Sequence, residues 1–264
     1  MYLVFLTELG SPIEAEASAL ARDLGITAYE ARMKLTAGLP AAVRTTQDRA
    51  AATALSDLLL TRRHRALVCD TADVVSSERM IAMRDFRLAE DAATVPDATG
   101  PDTRLEYADV MVLLRAVHRE STTTTETVRE RKFRPGAAVM TGGLVLSKTT
   151  SRDVQTTREA REEVLYAFRR SGATPWLLRE SSHYQGLGAD LAPTRRANFM
   201  TTVRLFRERS RFAAYDERLL TRKQLPHVAG PDGTSDLTAG TDLLAHVLAL
   251  SLARPGGPYR PAGG

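Results

Sequence analysis

Residues 2–69 carry so many start and stop signals that very few element orders accommodate them. The apolar run Tyr2-Leu3-Val4-Phe5-Leu6 predicts a short strand buried on both faces, and Gly10 ends it. Ser11-Pro12-Ile13-Glu14 reads as a capping box with proline at the first helical position. Ile13, Ala17, Leu20, Ala21 and Leu24 then share one helical face, and Gly25 closes the helix. Thr27-Ala28-Tyr29-Glu30 repeats the box. Ala31, Leu35 and Tyr29 are the candidates for the buried side of a second short helix, which stops at Gly38 before Pro40 blocks continuation. Ala41 to Val43 predicts a strand. Thr45 or Thr46 is expected to cap a third helix with Ala51, Ala54, Leu55, Leu58 and Leu59 at helical spacing, and Arg62, Arg63 and His64 suit the negative end of its dipole. Ala66-Leu67-Val68-Cys69 completes a β-α-α-β-α-β unit.

The order of these elements, with Leu24-Gly25, then Glu30-Ala31-Arg32, then Gly38-Leu39-Pro40, resembles the C-terminal domain of the bacterial ribosomal stalk protein. In that family a basic helix surface recruits translational GTPases. The first helix here carries Glu14 and Glu16, with Arg22 and Asp23 near its end, so the resemblance implies a compact α/β sandwich without the recruiting charge pattern.

At 264 residues the chain exceeds the usual size of a single core, and a polar, serine-containing stretch from Thr71 to Met83 marks the expected boundary between two domains. Apolar residues make up 43% of the chain, enough for folded cores. No segment approaches the roughly 20 apolar residues of a membrane span, and no basic region precedes the first apolar run, so neither a membrane helix nor a signal peptide is expected. With Cys69 the only cysteine, no intrachain disulfide forms, which fits a cytoplasmic setting.

The formal charge of +4 invites a nucleic-acid reading. Lys34, Lys132, Lys148 and Lys223 are the only lysines, so 32 of the 36 basic residues are arginine, and acids interleave them, as in Arg158-Glu159-Ala160-Arg161-Glu162-Glu163. A self-compensating solvated surface is the favoured interpretation and a phosphate-binding stripe the minority one.

Beyond the boundary the texture becomes strand-like. Asp85-Phe86-Arg87-Leu88 opens an extended segment toward Val95, and Leu105-Glu106-Tyr107-Ala108-Asp109 leads into Val110-Met111-Val112-Leu113-Leu114. Thr127 and Val128 suggest a solvated strand or loop, and Leu144 to Leu146 a short strand. Val164 to Phe168 is expected to pair with Trp176 to Leu178 across Ser171-Gly172-Ala173-Thr174, and a helix runs from Pro193 through Phe199, Val203 and Phe206. Strands ending in one amphipathic helix, with the Leu-x-Tyr-x-Asp pattern at Leu105 to Asp109, resemble a bacterial pleckstrin-homology-type domain over residues 84–225. That resemblance implies a partly open barrel plugged by a helix. Lacking a lysine-rich phosphoinositide loop, this chain would use it for peptide or protein binding. The expected fold class is therefore α+β: an N-terminal sandwich over residues 1–72, then the β-rich domain, then residues 226–264. In the last segment Pro226 to Gly240 reads as a flexible linker, Thr241-Asp242 as the cap of an apolar helix, and the tail after Arg254 as disordered.

Candidate chemistry is sparse. Gly142-Gly143-Leu144-Val145-Leu146-Ser147-Lys148-Thr149 is a near miss to a phosphate-binding loop, with Ser147 where the second glycine belongs. The five histidines, including His118, have no helical metal spacing, so no metal or cofactor is expected. Ser182 and His183 are adjacent on an extended chain, which sends them to opposite faces and makes no dyad. Tyr166, Phe168, Trp176 and Arg179 read as core with exposed charge, or as an aromatic binding surface anchored by Trp176. Together these signs predict a non-catalytic cytoplasmic adaptor or regulatory protein that works through protein contacts, with the terminal helix docked in cis or onto a second copy. The alternative is nucleic-acid or nucleotide binding through the arginine-rich second domain.

Overall fold

The computed structural model describes residues 1–96, 100–133, 147–222, 224–226 and 237–253, with the backbone alone for 120–133 and 147–159. The fold is α+β, as the sequence predicts. The expected strand at Leu144 to Leu146, most of the linker and the tail lie outside the described residues.

Alternation along the first strand, β1 (Tyr2–Glu8), sets the layering. Val4 and Leu6 face one core and Leu3 and Phe5 another. β1 pairs antiparallel with both β2 (Ala41–Thr46) and β3 (Arg65–Asp70), giving the order β2-β1-β3. Helices α1 (Ile13–Leu24), α2 (Ala28–Thr36) and α3 (Arg49–Thr61) cover the Val4 and Leu6 side, through Leu20, Ala31, Leu35, Leu55 and Leu59.

The helix starts separate two kinds of sequence signal. Thr27 forms a true capping box: it accepts from the Glu30 amide at 3.2 Å, and its own amide donates to the Glu30 carboxylate at 2.8 Å. Ser11 does not, because Pro12, extended at φ −57° and ψ 147°, is itself the N-cap of α1 and makes no side-chain bond. The cap of α3 is Asp48 rather than Thr45 or Thr46, since β2 runs through Thr46 and the Asp48 carboxylate accepts from the amides of Ala50 and Ala51. Tyr29, at 71% exposure, lies outside the core it was expected to join.

The β1–α1 connection is pinned by close approach. A Cβ on Gly10 would sit 2.3 Å from the Arg63 carbonyl oxygen, and the Gly10 amide donates to His64 Nδ1 at 2.9 Å. That bond makes Nδ1 an acceptor, so Nε2 carries the proton and donates to Glu16 at 2.6 Å. Both side chains are buried, and Arg62 joins Glu16 at 3.2 Å and Asp23 at 2.6 Å.

The chain forms two compact units, Met1–His118 with Glu162–Gly264, and Arg119–Arg161. The first contains the segment from Thr71 to Met83, which holds a 3-10 turn (Thr71–Asp73) and β4 (Ile81–Ala82). Next come β5 (Arg87–Leu88), β6 (Ala92–Val95) and β7 (Thr103–Glu106), a small antiparallel sheet. Two long strands, β8 (Val110–Phe133) and β9 (Ser147–Arg169), continue into the second unit. With β10 (Trp176–Arg179) and β11 (Ala214–Leu219) they build a sheet of order β11-β8-β9-β10-β4. The predicted hairpin is present, with Trp176 opposite Ala167 and Leu178 opposite Leu165.

One face of this sheet packs α4 (Arg195–Arg209), which the Thr194 hydroxyl caps at the Ala197 amide and which buries Phe199, Val203 and Phe206. The other face meets α5 (Leu237–Leu252). Helix α5 lies in one cluster with Leu3, Phe5 and Cys69 of the first sheet and Val112, Leu114, Tyr166 and Phe168 of the second. Residues 240–249 are all buried, as an all-round apolar helix at a core centre requires. Its start corrects the expected cap: α5 begins at Leu237, so Thr241 and Asp242 lie inside it, and the Thr241 hydroxyl donates back to the Leu237 carbonyl.

Candidate functional site: an arginine-lined cleft

The hairpin places the sequence-predicted aromatic residues back to back. Tyr166 and Phe168 point toward α5, whereas Trp176 points toward α4. Trp176 is 0% exposed, so the set forms two cores and no aromatic surface, a correction that follows from the strand alternation itself. Arg179 pairs with Glu162 at 3.1 Å. Burial pushes the Glu162 carboxyl up, but its bonds to Ser181 and Arg179 outweigh this and hold it below the usual range. His183 meets Asp85 at 3.0 Å on the surface. Ser147 to Thr149 open strand β9, so the helix N-terminus that a phosphate loop needs does not follow there, and Gly142 to Leu146 lie outside the described residues. Among the described residues no cluster of three metal-ligating side chains occurs, and no helix is long and apolar enough to cross a membrane.

A buried polar relay is the first unexpected feature. The Tyr166 hydroxyl donates to Asp242 Oδ1 at 2.7 Å, and the Ser77 amide donates to Oδ2 at 2.7 Å. Having given its proton to Asp242, Tyr166 accepts from His118 Nε2 at 2.5 Å. Burial, then the Asp242 charge, pushes the phenol well above its ordinary value, so it stays protonated. These hydrogen bonds join the groups into one buried polar network.

One turn further along α5, burial pushes His246 down to about 4, opposed by the field of Asp73. A base whose folded value lies below its unfolded one binds its proton first in the unfolded chain. Stability is therefore full above the unfolded value of 6.5 and falls as pH drops toward about 4. The total loss is about 3 kcal/mol. Urea denaturation at pH 7.5 and pH 4.5 checks this: the midpoint should fall markedly in the native chain and much less in His246→Leu.

The second feature points outward. Past its apolar face, α4 turns Arg204, Arg207 and Glu208 toward a cleft of 470 Å³ between its end and β11. Helix α4 ends at Ser210, whose amide donates to the Phe206 carbonyl, and the Ala213 amide donates back to Ser210. This tight turn sets Arg211 on the cleft and drives Phe212 into solvent at 86% exposure. Tyr215 forms the β11 side and is braced from below. Its hydroxyl donates to Glu217, which Arg115 also holds at 2.7 Å, while Arg115 reaches Glu163 at 2.6 Å. The Arg207 guanidinium stacks on the Tyr215 ring at 4.0 Å.

The electrostatics are one-sided. Arg204 is committed to Glu208 at 3.0 Å, but among the described residues neither Arg207 nor Arg211 has a carboxylate within ion-pair distance. Ser210 lines the cleft, and its Oγ is buried with no hydrogen-bond partner among the described residues. A buried hydroxyl left unmatched costs about 1–3 kcal/mol, which an acceptor entering the cleft would recover. Sequence reasoning passed over this site, although residues 204–212 hold four arginines against one glutamate, an imbalance unlike the interleaved runs elsewhere.

The chain matches no family model, no curated protein and no solved structure.

Proposed function

We propose that the protein is a non-catalytic cytoplasmic binding protein, an adaptor or regulator, whose partner presents negative charge to the α4–β11 cleft. The observation that carries this reading is Arg211, with no described carboxylate at ion-pair distance, together with Arg207, which stacks on Tyr215 in the field of Glu217, beside the unmatched Ser210 hydroxyl. Two further facts support it. The one thiol, Cys69, is buried and pushed up to about 12, chiefly by burial and then by Asp73 and Asp70, which removes it as a nucleophile. The buried Asp242 is held in a hydrogen-bonded network with Tyr166, His118 and the Ser77 amide.

Binding of heparin, a generic polyanion, tests the reading. Affinity should fall steeply between 50 and 200 mM salt, and Arg207→Ala with Arg211→Ala should weaken it about tenfold or more. Binding unchanged in the double variant would sink the assignment to this cleft.

A further inference from the structure

We infer that the anionic partner is a single-stranded nucleic acid, with Phe212 as the stacking face and Arg207, Arg211 and Ser210 as the phosphate contacts. This rests on the reading above and adds the identity of the ligand. Charge alone does not distinguish a nucleic acid from an acidic peptide. Phe212 does. An acidic peptide would neutralise the arginines and leave this ring in water, whereas an unpaired base offers a flat apolar face for it. Phe212 follows Arg211, which lines the cleft, and with a nucleotide stacked on the ring we place its phosphate on Arg211.

Two further arguments favour a single strand over a duplex. In a duplex the base faces are stacked on one another and give Phe212 nothing to cover. The cleft, at 470 Å³, accommodates a nucleotide but not a double helix, whose major groove alone is about 12 Å wide. Its contacts are to phosphate charge and a base face, the two features that every nucleotide shares, so the expected binding is tolerant of sequence. The unmatched Ser210 hydroxyl is a donor, and a phosphate oxygen is the acceptor it lacks.

The test is fluorescence anisotropy of the full chain with labelled oligo(dT) of 12 nucleotides, with competition by a duplex of equal length and by poly-glutamate. The single strand should bind at least tenfold more tightly than either competitor. Phe212→Ala should weaken it between five- and a hundredfold. Because Phe212 is 86% exposed, that variant keeps its fold, which circular dichroism verifies. Arg211→Ala should reduce the slope of log affinity against log salt by about 0.7, the value for one phosphate contact on a single strand. If Phe212→Ala binds as the native chain does, or the duplex competes equally, the single-strand inference fails while the anionic-partner reading survives. Tighter binding of poly-glutamate makes the partner an acidic protein segment and overturns the inference likewise. No binding to any of the three overturns both.

Discussion

Replacing Asp242 with alanine should destabilise the chain by about 3 kcal/mol. The substitution leaves the buried Ser77 amide without its acceptor and the Tyr166 hydroxyl with His118 alone. It also removes a buried carboxylate, whose relief offsets part of the cost. The cost is therefore set by the partners left behind, which a double-mutant cycle can show. Tyr166→Phe alone also destabilises, by leaving His118 and Asp242 each short of one bond. The pair Tyr166→Phe with Asp242→Ala should be milder than the sum of the singles, with a coupling of about 1–2 kcal/mol. Urea midpoints of the four proteins measure it. Strict additivity would mean that the relay does not exist as described.

The other large effect is expected at His64. Its imidazole accepts from the Gly10 amide and donates to buried Glu16, so one ring ties the β1–α1 loop to the end of α3. His64→Ala leaves an orphaned amide, a cavity and a carboxylate with only Arg62 beside it. A loss of about 3–4 kcal/mol is expected, equivalent to roughly 10 °C in melting temperature for a chain of this size. His64→Gln can still reach Glu16 with an amide proton, but its Oε1 is on the same terminal carbon and does not also reach the Gly10 amide, so it should recover about half of the loss. A Gln variant no better than Ala would locate the effect in packing alone. Differential scanning calorimetry of the two variants separates these outcomes.

How much of this was legible in the sequence depended on how local the determinant was. The β1 run, the Thr27 box and the hairpin at Val164 to Leu178 were legible because each is fixed by residues within one turn or one loop of each other. The Ser11 box failed because a proline at the N-cap itself holds an extended conformation, and the α3 cap was misplaced because β2 absorbs both threonines. Asp242 read as a cap, since aspartate before an apolar run does so in most settings. Its partners lie 76 and 165 residues away and leave no local trace. The cleft was half legible: the arginine imbalance of residues 204–212 is in the sequence, but Phe212 two places past a helix end reads equally well as core. Only the turn from Ser210 to Ala213 decides that it faces solvent.

Helix α5 has a consequence for how the chain comes to be folded during synthesis. Leu3, Phe5 and Cys69 of the first sheet and Val112, Tyr166 and Phe168 of the second share one core with Leu243 to Ala249. Both sheets therefore emerge from the ribosome with one finished face and one bare apolar face, and stay so until the last helix arrives. Contacts so distant in sequence close slowly, and an uncovered sheet face is the species that sticks to its neighbours. A nascent chain stalled short of residue 243 would be a client for chaperones, and a small defect in α5 would show first as lost yield.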